Sequence, residues 1–293
     1  MRVVTNTGHE FPIPTAERPA PPLYARVVCG IDGSPASVEA ARQAGLMAAG
    51  GQVRLVSVTW ATGAGPTEMT ALGESRARAA LAAAAKAATE LGVSASSELI
   101  RNPDTTGTLL AESSDADLTV VGTHGGSRRA GIFLGSVASR VAHSARGPVL
   151  IARRPPQGHP FPVHVLVGSD GSLGSSAATM QAGRIAARFG SRLTLVHVGT
   201  GADSAHRREV AVQSADLFEV TGIKPTVVEL DGKPSERIVE TAGQEQVSLI
   251  VVGSRGLGGL KALGSVSERV VHTAPCSVLV GRPIDPSGFG TPS

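Results

Sequence analysis

Aromatic side chains are scarce. Phe, Tyr and Trp make up 3% of the 293 residues, with one Trp and one Tyr. The core must therefore be built from Val, Leu, Ile and Ala, and bases would find few rings to stack on. Cysteine is nearly absent: Cys29 and Cys276 lie far apart in apolar contexts. That excludes a disulfide framework, fits a reducing compartment and makes both thiols packing residues. No apolar run reaches the length of a membrane span, and no basic segment followed by an apolar one opens the chain. The expectation is a soluble, cytoplasmic protein with no membrane role. Neither Cys-x-x-Cys nor His-Glu-x-x-His occurs, which removes the common metal and redox signatures. Acidic side chains vanish between Asp117 and Asp170, where Arg128, Arg129, Arg140, Arg146, Arg153 and Arg154 all fall. This is either a solvated basic face or an attraction for a polyanionic ligand. The net charge of +3 is far below that of a dedicated nucleic-acid binder.

What is present is a repeat. "VVCGIDGSPASVEAARQAG" from Val27 answers to "VLVGSDGSLGSSAATMQAG" from Val165, and "ADLTVVGTHGG" from Ala116 to "VSLIVVGSRGL" from Val247. "VRLVSVTW" from Val53 matches "SRLTLVHVGT" from Ser191, and "LGSVASRVAHSARGPVLIARRP" from Leu134 matches "LGSVSERVVHTAPCSVLVGRP" from Leu263. Four blocks in one order describe a duplicated unit. The proline-rich "RRPPQGHPFP" at 153–162 reads as the join. We therefore expect an N-terminal tail at 1–22, domains at 23–155 and 163–283 joined by a linker at 156–162, and a C-terminal tail at 284–293.

Short β-branched runs at Val27–Ile31, Val53–Val58 and Leu118–Val121 alternate with alanine-rich helical stretches such as Glu74–Leu91. That alternation predicts parallel sheets covered by helices on both faces, with about five strands and four helices in each half. Ser34-Pro35 reads as an N-cap followed by proline at the first helical position.

The stretch from Val120 to Arg140 leaves a strand at Gly122, passes Gly125, Gly126, Gly131 and Gly135, and enters a helix at Ser136. Open α/β sheets bind ligands beyond the carboxyl ends of their strands. The unpartnered amides and positive dipole end of such a helix attract anions, and glycine lets backbone approach closely. It is neither a Walker A loop nor a dinucleotide fingerprint. A plain strand–helix connector remains the alternative. Asp32 and Asp170 sit just beyond the first strand of each half, where a carboxylate accepts from sugar hydroxyls or merely closes an Asx turn.

These residues resemble the universal stress protein family in its tandem form. Its ATP-binding signature, G-x2-G-x9-G-[ST], is met by Gly122, Gly125 and Gly135-Ser136. The resemblance implies strand order 3-2-1-4-5 in each half. It also implies that Asp32 contacts the nucleoside, that the backbone of Val58 meets adenine, and that Gly122 and Gly125 line ribose and phosphates. Gly135, Ser136 and the Val137 amide would hold the phosphates. The second half offers Asp170, Val198, Gly253, Gly256, Gly264 and Ser265, but only seven residues separate Gly256 from Gly264. Two missing residues shorten that arm's reach by up to about 7 Å. In this family the last strands, here Val149–Ala152 and Val278–Val280, pair across a two-fold; whether as a homodimer or an intramolecular pseudo-dimer is open from sequence.

No catalytic set emerges. His124 and Lys261 lie in the glycine arms, His143 and His272 late in matching helices, and His197 near a strand end. Asp32 is the one acid near the first cradle. The expectation is an ATP-binding regulator of stress adaptation with little or no turnover. A slow Mg²⁺-dependent nucleotide hydrolase and a nucleotide-free partner-binding scaffold remain as alternatives.

Overall fold

The computed structural model describes residues 22–59, 67–123, 134–156, 160–199, 204–254 and 263–283. Both expected tails (apart from Pro22), part of the linker and both glycine arms, including Gly125, Gly256, His124, Arg128, Arg129 and Lys261, lie outside the described residues.

The first half runs β1 (Arg26–Gly30), α1 (Pro35–Met47), β2 (Gln52–Thr59), α2 (Thr67–Thr89), β3 (Ser94–Arg101), α3 (Thr105–Glu112), β4 (Leu118–Gly122), α4 (Ser136–Ser144) and β5 (Val149–Ala152). The second repeats it as β6 (His164–Ser169), α5 (Leu173–Phe189), β7 (Arg192–Val198), α6 (Ser204–Thr221), β8 (Thr226–Leu230), α7 (Pro234–Gln244), β9 (Leu249–Gly253), α8 (Ser265–Thr273) and β10 (Ser277–Gly281). Ser34 caps α1 as expected, its Oγ accepting from Ser37 N at 3.1 Å, and Ser172 does the same for α5.

Among the described residues, ten strands form one sheet in the order β3-β2-β1-β4-β5-β10-β9-β6-β7-β8. Each half thus has order 3-2-1-4-5. The ladders within each half are parallel; β5 and β10 pair antiparallel, with Leu150 opposite Leu279. The two expected sandwiches are therefore continuous, joined through their last strands within one chain. β4, β5, β9 and β10 are buried almost throughout, which explains their unbroken apolar runs. Two hydrophobic layers cover the sheet. One packs α1, α2, α5 and α6 around Leu55, Leu118, Leu195 and Leu249. The other packs α3, α4, α7 and α8 around Val121, Ile151, Ile250 and Val280. Among the described residues no helix is long and apolar enough to cross a membrane.

Candidate functional site

Because β1 and β4 are parallel neighbours, their carboxyl ends open on one edge of the sheet. There β1 turns into α1 through Asp32, an exposed residue whose Oδ1 accepts from Ser34 N at 2.9 Å. The Asx turn is real, and it uses one carboxylate oxygen. Asp170 makes the same turn with Ser172 N at 3.0 Å.

A chain of contacts links this turn to the cradle helix. A Cβ on Gly122 would lie 2.8 Å from the carbonyl carbon of Ala36, in the first turn of α1. The next residue, Thr123, accepts from Gly135 N through its carbonyl at 2.7 Å. Gly135 is the N-cap of α4 and makes no side-chain cap bond. The first helical bond runs from Ser139 N to Gly135 O, so the amides of Ser136, Val137 and Ala138 precede it. α3, by contrast, is closed by Asp104, whose Oδ1 accepts from Gly107 N at 2.8 Å. The cradle helix has no such oxygen of its own, and its first-turn amides face the edge where an anion is favoured. The amide of Gly135 itself donates to Thr123 O.

The second half copies this frame. Gly253 abuts Gly174 of α5, Gly264 N bonds Ser254 O at 2.7 Å, and α8 has a glycine cap with no side-chain bond. It departs in charge: Glu268 stands in the first turn of α8, where α4 has no acid. Its carboxylate lies 3.5 Å from His143 Nε2 of α4, so the two cradle helices touch across the join.

Val58 and Val198 occupy equal heights, since Gly30 pairs with Val56 and Gly168 with Val196. Both flank an apolar floor. A Cβ on Gly30 would meet Leu109 at 3.0 Å and Val121 at 3.5 Å; on Gly168 it would meet Ile238 at 2.7 Å. Thr123, Leu109 and Ile238 were not legible as site residues. The only hint was the hydroxyl residue after each strand-ending glycine.

The nucleophile inventory is short. Cys29 and Cys276 are buried and free. Burial, with Asp32 adding to it, raises the Cys29 thiol, and burial pushes Cys276 up to about 12, so both stay protonated. His197 is buried, with Nδ1 3.0 Å from Ser169 O, and packs at a strand end. Among the described residues no cluster of three His, Cys, Asp or Glu could hold a metal ion.

The profile of the universal stress protein family matches residues 23–153 and again 163–282. The chain belongs to the universal stress protein family. A universal stress protein of Mycobacterium tuberculosis is 33% identical over 193 residues, which is 60% of this chain and 65% of that relative's length. One from Mycolicibacterium smegmatis is 30% identical over 250 residues, 78% of this chain and 84% of that one. The crystal structure of an Archaeoglobus fulgidus universal stress protein superposes with TM-score 0.71 at 23% identity. It covers 90% of this chain and 99% of its own, which speaks to the fold.

Proposed function

We propose that this universal stress protein binds an adenine nucleotide in its first half and acts as a cytoplasmic, nucleotide-dependent regulator of stress adaptation, with little or no turnover. The observation that carries the reading is the helix α4. It starts at a glycine cap, leaves the amides of Ser136, Val137 and Ala138 ahead of its first helical bond, and follows β4, the parallel neighbour of the strand β1 that leads to exposed Asp32. Residues of that kind fit a nucleoside phosphate: amides for the phosphates, Asp32 for ribose hydroxyls, and the Leu109–Val121 floor with Val58 for the base. Gly122 and Gly135 shape the cradle, Ser136 and Val137 donate, and Gly125 would extend it. ATP is the favoured ligand, alone or carrying Mg²⁺ on its phosphates.

Asp170, Val198, Gly253, Gly256, Gly264 and Ser265 form the corresponding site in the second half. Its short arm and Glu268 favour weaker anion binding there. The units are residues 23–155 and 163–283, and the β5–β10 ladder supports an intramolecular pseudo-dimer over a homodimer that uses those same edges.

Mass spectrometry of small molecules released from purified protein tests the reading, with titration of ATP, ADP and AMP. An adenine nucleotide bound at one strong site per chain is expected. No bound nucleotide and no binding heat would leave the scaffold alternative. Release of phosphate in a single-turnover assay at a rate matching an ordinary enzyme would favour the hydrolase.

A further inference from the structure

Two arginines cross between the halves, and each takes hold of the far end of the other half's cradle helix. Arg153 follows β5; its Nη2 donates to Val271 O of α8 at 2.6 Å and its Nη1 to Cys276 O at 3.3 Å. Arg282 follows β10; its Nη2 donates to Ala142 O of α4 at 2.5 Å and its Nη1 to Gly147 O at 3.2 Å. Ala142 and Val271 stand in the last turns of their helices, where carbonyls lack helical donors. The pattern is reciprocal, residue for residue.

Each arginine is itself anchored. Gln43 Nε2 donates to Arg153 O at 2.7 Å, and its repeat partner Gln181 donates to Arg282 O at 2.6 Å. Ser277 Oγ accepts from Arg153 N at 3.0 Å. Arg282 is 6% exposed. Burial pulls the Arg153 guanidinium down to about 10, which leaves it cationic at neutral pH. Among the described residues its side-chain partners are carbonyls rather than carboxylates. Guanidinium planes therefore sit at the negative ends of two helix dipoles whose positive ends form the candidate cradles.

We propose that Arg282 positions the cradle of the first half and Arg153 that of the second, so that each half sets the anion affinity of the other. The coupling rests on the nucleotide reading above; the mechanical part does not. A nine-residue helix is a rod about 14 Å long. Fixing its carboxyl end on the opposite half fixes the direction of the three amides at its start. Loosening that end tilts them and restores the negative dipole end. Both effects weaken a phosphate held there, and both act in trans.

Hydrogen exchange of the full chain, with and without ATP, tests this on Arg282→Met and Arg153→Met. Without nucleotide, Arg282→Met is expected to lose protection in 136–144 while 265–273 keeps the native rate; Arg153→Met should do the reverse. The ATP concentration that protects 136–144 should then rise roughly tenfold in Arg282→Met, a usual size for coupling between sites. Arg282→Lys, which keeps the charge and reaches one carbonyl, should recover part of the loss. It also carries the test if the methionine variant does not fold. Equal loosening of both helices, or loosening confined to the variant's own half, would overturn the proposal. If the native chain takes up no ATP, the nucleotide reading fails, and the ligand-free exchange pattern still decides whether the arginines position these helices.

Discussion

A Cβ added to Gly122 would sit 2.8 Å from the carbonyl carbon and 2.9 Å from the carbonyl oxygen of Ala36. The obstacle is backbone, which has little room to give. This glycine therefore serves the seating of α1 on the end of β4 as well as any ligand. Gly122→Ala is expected to cost about 1–3 kcal/mol of stability, the usual range for overpacking. Gly253→Ala, facing Gly174 O at 2.7 Å, should cost a similar amount. Thermal unfolding of ligand-free protein measures it, and two variants that melt like the native chain would contradict the packing described.

The turn at Asp32 separates scaffold from chemistry. Its Oδ1 closes an Asx turn on Ser34 N, a task an asparagine oxygen performs equally well. Asp32→Asn should leave stability within about 0.5 kcal/mol, as for an ordinary surface change. If the carboxylate reads the ribose, the same variant weakens ATP clearly. Asp32→Ala mixes the two effects and is the poorer probe. Native ATP affinity in Asp32→Asn would remove the carboxylate from the site.

The fold was legible because its central strands β4, β5, β9 and β10 are short, nearly unbroken apolar runs and the helices α4 and α8 begin at Gly-Ser. Those features are local. The duplicated blocks then gave the architecture twice over. What escaped is non-local. Arg153 and Val271 are 118 positions apart, and nothing in "IARRP" or "LVGRP" tells a helix-capping arginine from a solvated one. The bond from the Gly135 amide to Thr123 O escaped for a similar reason, since twelve positions separate the two residues. A glycine chosen for a ligand and one chosen for packing look alike in sequence, and Gly122 needs the position of Ala36 to tell them apart.

His164 is expected to make stability fall in acid. The ring is 4% exposed at the start of β6; Arg192 Nη2 approaches its Nδ1 at 2.7 Å and Thr194 Oγ1 lies 2.9 Å from Nε2. Arg192 Nη2 donates only to an unprotonated Nδ1, while the Glu245 carbonyl, 3.4 Å from the same nitrogen, favours a proton there. Glu245 Oε2, 3.6 Å from Nε2, likewise pulls toward protonation. Burial first and Arg192 second hold the pKa below the ordinary 6.5. Above pH 6.5 both folded and unfolded rings are neutral, and the group adds no pH dependence. As pH drops below 6.5 the unfolded chain takes up a proton that the folded chain refuses. Stability then declines, by at most about 1.4 kcal/mol per pH unit, until the folded pKa is reached. Denaturant melts at pH 7.5 and 5.5 should show a smaller acid loss in His164→Asn than in the native chain. An equal loss in both would place the acid sensitivity elsewhere.

Glu268 is the sharpest difference between the two cradles. It puts a carboxylate in the first turn of α8, where α4 carries Ser139, and it leans on His143 of the other half. A negative charge there already satisfies the helix dipole and repels a second anion. Its side chain is 47% exposed, so the effect belongs at the modest end of dipole interactions, about 0.3–1 kcal/mol. Glu268→Ser, which copies the first half, is then expected to raise ATP affinity at α8 by roughly two- to fivefold. Exchange protection of 265–273 during an ATP titration reads that site alone, and Asp32→Asn provides a background in which the first site is weak. The short arm between Gly256 and Gly264 is untouched by this change. An unchanged affinity at α8 would therefore count against a charge effect and turn attention to the missing residues of the arm, and a gain would show that the charge matters.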